Sequence, residues 1–146
     1  MDPYLLVNVL CLAGCALPFA IVMFWFRRRQ TKAYGDALLA VEGAEIVLEE
    51  MSALEIGKNN AGEQAVLGRG ILLLTQDQIY FQRLLPRSEI RVKRARILRV
   101  ERPDFTAGIG NAGKRLIQVH FTSPQGQEQS HTWMVEHHSA WVDALS

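Results

Sequence analysis

The sequence predicts an N-terminal transmembrane α-helix followed by a mainly-β, partly open barrel of about seven short strands, capped by a C-terminal helix. Three observations lead there. Residues 4 to 26 carry no charge, short apolar or alternating runs recur between turn residues from residue 70 onward, and helical spacing returns only at the end of the chain. The 146 residues, 49% hydrophobic and 21% charged, suit one small domain. A formal net charge of +1 excludes a globally basic nucleic-acid binder and an acidic, disordered chain.

The first element is the uncharged run YLLVNVLCLAGCALPFAIVMFWF, Tyr4 to Phe26. As a helix it reaches ~35 Å, enough for a ~30 Å hydrocarbon core. It closes on Phe24, Trp25 and Phe26, followed by Arg27, Arg28, Arg29 and Lys32. Aromatic rings favour the headgroup level and basic clusters stay on the cytoplasmic side. Trp25, Arg27, Arg28, Arg29 and Lys32 are therefore the expected membrane-interface anchors. The expectation is a single-pass anchor over 1–33 in the plasma (inner) membrane, with the N-terminus outside and the rest cytoplasmic. A cleaved secretory signal would place its positive charges before the apolar run, the reverse of what stands here. Leu12-Ala13-Gly14-Cys15 resembles a lipobox, but the residues after Cys15 are as apolar as those before it. Ala16 and Ala20 form a small-xxx-small pair suited to helix packing. Cys11 and Cys15 are the only cysteines, so no disulfide or zinc cluster is expected beyond the run.

Residues 34–44 read as a linker and 45–146 as the folded domain. Charge separates into blocks: Asp36 to Val66 holds seven acids and one base, Leu67 to Arg102 nine bases and three acids. Helical spacing over Ala37 to Leu54 is interrupted by Gly43, and Glu45 to Glu50 reads as a strand. Residues 56–64 carry turn chemistry. GILLLT (70–75) and IYFQR (79–83), separated by Gln76-Asp77-Gln78, predict a hairpin that Pro86 ends. Ile90 and Val92 alternate with Arg91 and Lys93. Ile97, Leu98 and Val100 form another strand, and alternation returns over 116–122 and 132–136. Ser139 would cap a last helix carrying Trp141 and Leu145 on one face. One helix cannot cover both faces of a flat sheet of this size, whereas a barrel plugged by the Trp141 helix can bury its strands.

GRGILLLTQDQIYFQR followed by EIRVKRARILRVE resembles the core of pleckstrin-homology-like domains of the GRAM and bacterial type. The resemblance covers roughly residues 45–146. It implies a PH-like fold and binding rather than chemistry, with phospholipid headgroups, peptides or neighbouring subunits as ligands. The lipid-binding members carry a basic pattern between their first two strands, where this chain offers only Lys58 and, further on, Arg69.

Gly108 to Lys114 matches G-x-G-x-x-G and G-x-x-x-x-G-K, but an alternating strand follows where a phosphate loop needs a helix. It reads as a hairpin loop, and no cofactor is expected. His120, His131, His137 and His138 are too scattered for a metal site, and no nucleophile motif is present. The basic block is the candidate lipid- or partner-binding surface: Arg83, Arg87, Arg91, Lys93, Arg94, Arg96, Arg99 and Arg102. Lys and Arg near anionic lipid contribute ~1 kcal/mol each. Without interleaved aromatics the block does not suit single-stranded nucleic acid. The expectation is a non-catalytic, membrane-anchored binding or scaffolding protein contacting anionic lipid or an acidic protein surface. The alternatives are an accessory subunit of a larger membrane complex, and an enzyme whose motif is not recognisable.

Overall fold

The computed structural model describes residues 3–58, 64–103 and 115–146, and the side chains of 17–57, 65–103 and 115–146. The chain divides into two compact units, Met1–Lys32 and Ala33–Ser146.

Helix α1 spans Pro3–Ala40 with Pro18 inside it. The transmembrane, single-pass expectation is corrected here: among the described residues, no helix is long and apolar enough to cross a membrane. The helix does not end where the uncharged run does: α1 carries on through Arg27, Arg28, Arg29 and Lys32. The stretch read as a linker is helical to Ala40. Turn bonds from Val41, Glu42 and Ala44 back to Leu38, Leu39 and Val41 close the helix, and Gly43 at φ 84° takes the left-handed conformation that ends it.

Seven strands follow: β1 Ile46–Lys58, β2 Gln64–Thr75, β3 Gln78–Arg83, β4 Ser88–Lys93, β5 Ile97–Glu101, β6 Arg115–Thr122 and β7 Glu128–Val135. A single 3-10 turn, Arg94–Arg96, joins β4 to β5, and helix α2 (His138–Leu145) closes the chain. Every pairing is antiparallel, in the order β4-β3-β2-β1-β7-β6-β5. The partly open barrel capped by one helix is corrected accordingly. The architecture is one seven-stranded antiparallel sheet with a helix at each end. The 13-residue β1 makes it continuous, pairing β2 along its length and β7 through Leu54, Glu55 and Ile56.

The burial problem is solved by two helices rather than one. In β2, Leu72 and Leu74 join Ile79, Phe81, Trp133 and Trp141 in the larger core. Their neighbours Ile71 and Leu73 point the other way, with Tyr80, against Ala33, Ala37 and Val41 of the α1 end. Burial on both faces is why GILLLT reads as a continuous apolar run rather than an alternation. Tyr34 of α1 donates to Glu49 of β1 at 2.7 Å, adding a polar tie to that contact. Thr75 Oγ1 accepts from the Asp77 and Gln78 amides at 3.3 and 3.1 Å, which makes the tight β2–β3 turn. Gly70 is required by close approach: a Cβ there would lie 2.3 Å from the Gln82 carbonyl oxygen and 2.6 Å from the Phe81 ring.

On α2, Trp141, Val142 and Leu145 are buried in the larger core. His137, not Ser139, occupies the N-cap position, without a side-chain capping bond. The buried Glu50 carboxylate instead accepts the Glu136 amide at 3.1 Å and lies 3.6 Å from His137 Nδ1.

Candidate functional site

Strands β4 and β5 are the two edges of the sheet, yet only Arg94–Arg96 separates them in sequence. The three-residue link brings both edges to one corner, and the basic block lies along it. The corner is fixed from inside: the Arg94 amide donates to the Asp77 carbonyl at 2.8 Å, and the Arg94 guanidinium donates to the Ala144 carbonyl at 2.7 Å. A cation at the last carbonyls of α2 also complements the helix dipole.

The basic residues sort into engaged and unengaged groups. Arg83 is structural: Nη1 lies 3.4 Å from Glu55 Oε2, and Nε donates to Ser88 Oγ at 2.9 Å. That separation is an ion pair without hydrogen-bond geometry, since Glu55 Oε2 accepts no hydrogen bond. Burial pushes the Glu55 carboxyl above the usual range, and the Arg83 charge opposes that rise. Arg87 pairs with Asp36 at 3.1 Å and ties the β3–β4 turn to the end of α1. Arg91 lies over the Tyr80 ring at 5.0 Å and reaches Glu89 at 3.4 Å. Arg99 is held by Glu101 and Glu128, each at 2.7 Å, beside His120. Their hydrogen bond is the main cause that raises the Arg99 pKa and lowers that of Glu101. Arg102 is exposed past the end of β5. Lys93 and Arg96 are exposed and have no ion-pair partner among the described residues.

Two shallow clefts open at this corner. One, of about 320 Å³, has buried Val92 and Phe121 as its floor and Arg91, Lys93 and Arg96 around it. Gln78, Thr122 and Pro124 complete its wall, and among the described residues no carboxylate lines it. The Phe121 ring is stacked on His131 at 5.5 Å. Burial lowers the His131 pKa. The second cleft, of about 300 Å³, lies between β5 and α2 around Ile97, Leu98 and Val100. Its two arginines, Arg94 and Arg99, are already engaged.

The expected interface anchors lie on α1, in the other unit. Trp25 is exposed, with the Arg29 guanidinium 4.8 Å from its ring, and Arg28 lies 4.9 Å from the Phe24 ring. Arg27, Lys32 and Ala20 are exposed, while the side chains of Cys11, Cys15 and Ala16 lie outside the described ones. So does the 108–114 glycine motif, together with 59–63 between β1 and β2. Among the described residues no three His, Cys, Asp or Glu side chains gather as a metal site. Sequence reasoning missed Gln78, Phe121, Thr122 and Pro124. They stand 13 or more positions from the nearest cleft cation, and no motif links them to it.

No family model and no curated protein matches the chain. Among solved structures it is similar to the C-terminal domain of an unknown protein from Leishmania infantum. The match has 10% identity and a TM-score of 0.52, over 79% of this chain and 94% of that one. At that identity the likeness is one of fold alone. The pleckstrin-homology resemblance rests on the quoted motifs.

Proposed function

We propose that this protein is a non-catalytic binding module that works at an anionic surface, and that the surface is a phospholipid leaflet. The observation that carries the reading is the pair of cations, Lys93 and Arg96, without an ion-pair partner among the described residues, at the corner where Arg83, Arg87, Arg94 and Arg99 are engaged. An unpaired cation keeps its full attraction for an external anion, whereas an internally paired one has spent most of it.

Lipid is favoured over an acidic protein by α1. Leu17, Phe19, Ile21, Val22, Phe24 and Trp25 are all more than half exposed, and Arg27, Arg28 and Arg29 follow directly. No acid occurs between Asp2 and Asp36. Exposed apolar and aromatic side chains followed by a cationic run match the interfacial zone of an anionic leaflet.

The test is flotation of the full chain with neutral and anionic vesicles at low and physiological salt. Binding to anionic vesicles that falls at least fivefold in Lys93→Glu/Arg96→Glu supports the reading. Equal association with both vesicle types, or none, overturns it. Stoichiometric co-purification with another protein in mild detergent, without vesicle binding, would favour the accessory-subunit reading.

A further inference from the structure

We infer that the cleft floored by Val92 and Phe121 is a site for a phosphomonoester attached to an apolar body. This deepens the anionic-surface reading and rests on it. Three features of the cleft select that chemistry. Its rim holds three cations, of which Lys93 and Arg96 have no ion-pair partner among the described residues, and none of the described residues lining it is a carboxylate. Two unpaired positive charges in about 320 Å³ match a dianion better than the single charge of a carboxylate. The planar guanidinium of Arg96 fits two phosphate oxygens at once, and the Lys93 ammonium supplies a point charge beside it.

The second feature is the neutral donors. The Thr122 hydroxyl and the Gln78 amide stand on the wall and can bond oxygens that the cations do not reach. The third is the floor. Val92 and Phe121 are 2% and 7% exposed and belong to the larger core, so the floor is rigid and presents a small apolar area to the ligand. Phe121 is held further by its stack on His131. The volume stands at the lower end of ligand sites, ~300–1,000 Å³, and suits one phosphorylated ring or headgroup. A lipid headgroup and a soluble phosphate ester share this chemistry, and the experiment separates them.

The full chain, held in neutral detergent, is titrated calorimetrically with phenyl phosphate and with phenylacetate. Phenyl phosphate is expected to bind saturably and at least tenfold more tightly than phenylacetate. Lys93→Gln and Arg96→Gln should each weaken it about tenfold, and Arg115→Gln, at the far end of β6 from Phe121 and Thr122, should leave it unchanged. Circular dichroism checks that the variants are folded. Absence of saturation, or indifference to both Gln variants, overturns the site. Flotation with phosphatidic acid vesicles and with phosphatidylglycerol vesicles of matched surface charge forms the second arm. A preference for phosphatidic acid that both Gln variants lose supports the site with a lipid source. No such preference alongside phenyl phosphate binding supports it with a soluble one. Equal binding to both vesicles without phenyl phosphate binding overturns the cleft and leaves the anionic-surface reading standing. No binding of any kind overturns both.

Discussion

Replacing Arg83 by Met removes the partner of a buried carboxylate and so tests how β1, β2 and β3 are held together. Glu55 is only 5% exposed, and its nearest cation is Arg83 Nη1 at 3.4 Å. Arg83 also donates to Ser88 Oγ at 2.9 Å and to the Leu67 carbonyl at 3.5 Å. Breaking a buried pair by deleting one member costs about 3–5 kcal/mol, because the remaining charge is stranded. Glu55 has an escape, since burial already raises its pKa and it can take a proton instead. The loss at pH 7 should therefore sit near the lower end, about 3 kcal/mol. The pH dependence follows from the same shift. Between the unfolded and the raised folded pKa the folded state binds more protons, so this group's contribution to stability falls as pH rises through that window. Without Arg83 the folded pKa rises further and the window widens. Urea denaturation followed by tryptophan fluorescence should show a smaller loss at pH 5 than at pH 7. Adding Glu55→Gln should restore most of it. A loss below about 1 kcal/mol, equal losses at both pH values, or failure of the Gln to restore stability would refute the reasoning.

Three further outcomes are expected. Gly70→Ala should destabilise the sheet by about 1–3 kcal/mol in the same assay, because its Cβ would meet the Gln82 carbonyl at 2.3 Å and β3 would have to shift. The His131 pKa is lowered by burial, so the unfolded chain takes up protons first as pH falls below about 6.5, and stability is lost from there down to the folded pKa. His131→Phe should flatten that acid-side loss in a pH series of thermal melts; the slope will not vanish, since His138 is shifted the same way. Acrylamide should quench one class of tryptophan in the folded chain, since Trp25 is 54% exposed while Trp133 and Trp141 are 0% exposed. Uniform quenching of all three would contradict the core.

Much of the local structure is legible in the sequence. The hairpin over 70–83, the edge strand carrying Ile90 and Val92, and the Trp141 helix follow from apolar spacing and turn residues, which act over a few positions. Tertiary placement was not legible. GILLLT declares burial, but not that Ile71 and Leu73 meet α1 while Leu72 and Leu74 meet Trp133 and Trp141. The uncharged run before Arg27 invited a spanning helix. A charge count across a sequence does not say that the same helix continues to Ala40 and packs its last turns on β2 and β3.

The basic block shows the same division. Its cluster of eight Lys and Arg residues is a property of the sequence alone, as is its position on a hairpin and the strand beyond. Which members remain available was decided by the fold. Long-range pairing gave Arg83 to Glu55, Arg87 to Asp36 and Arg94 to the Ala144 carbonyl. Lys93 and Arg96 were left beside Phe121 and Thr122 from a distant strand. Spacing along a chain records which charges are neighbours in sequence, whereas neutralisation depends on distances across the sheet that only the folded chain sets.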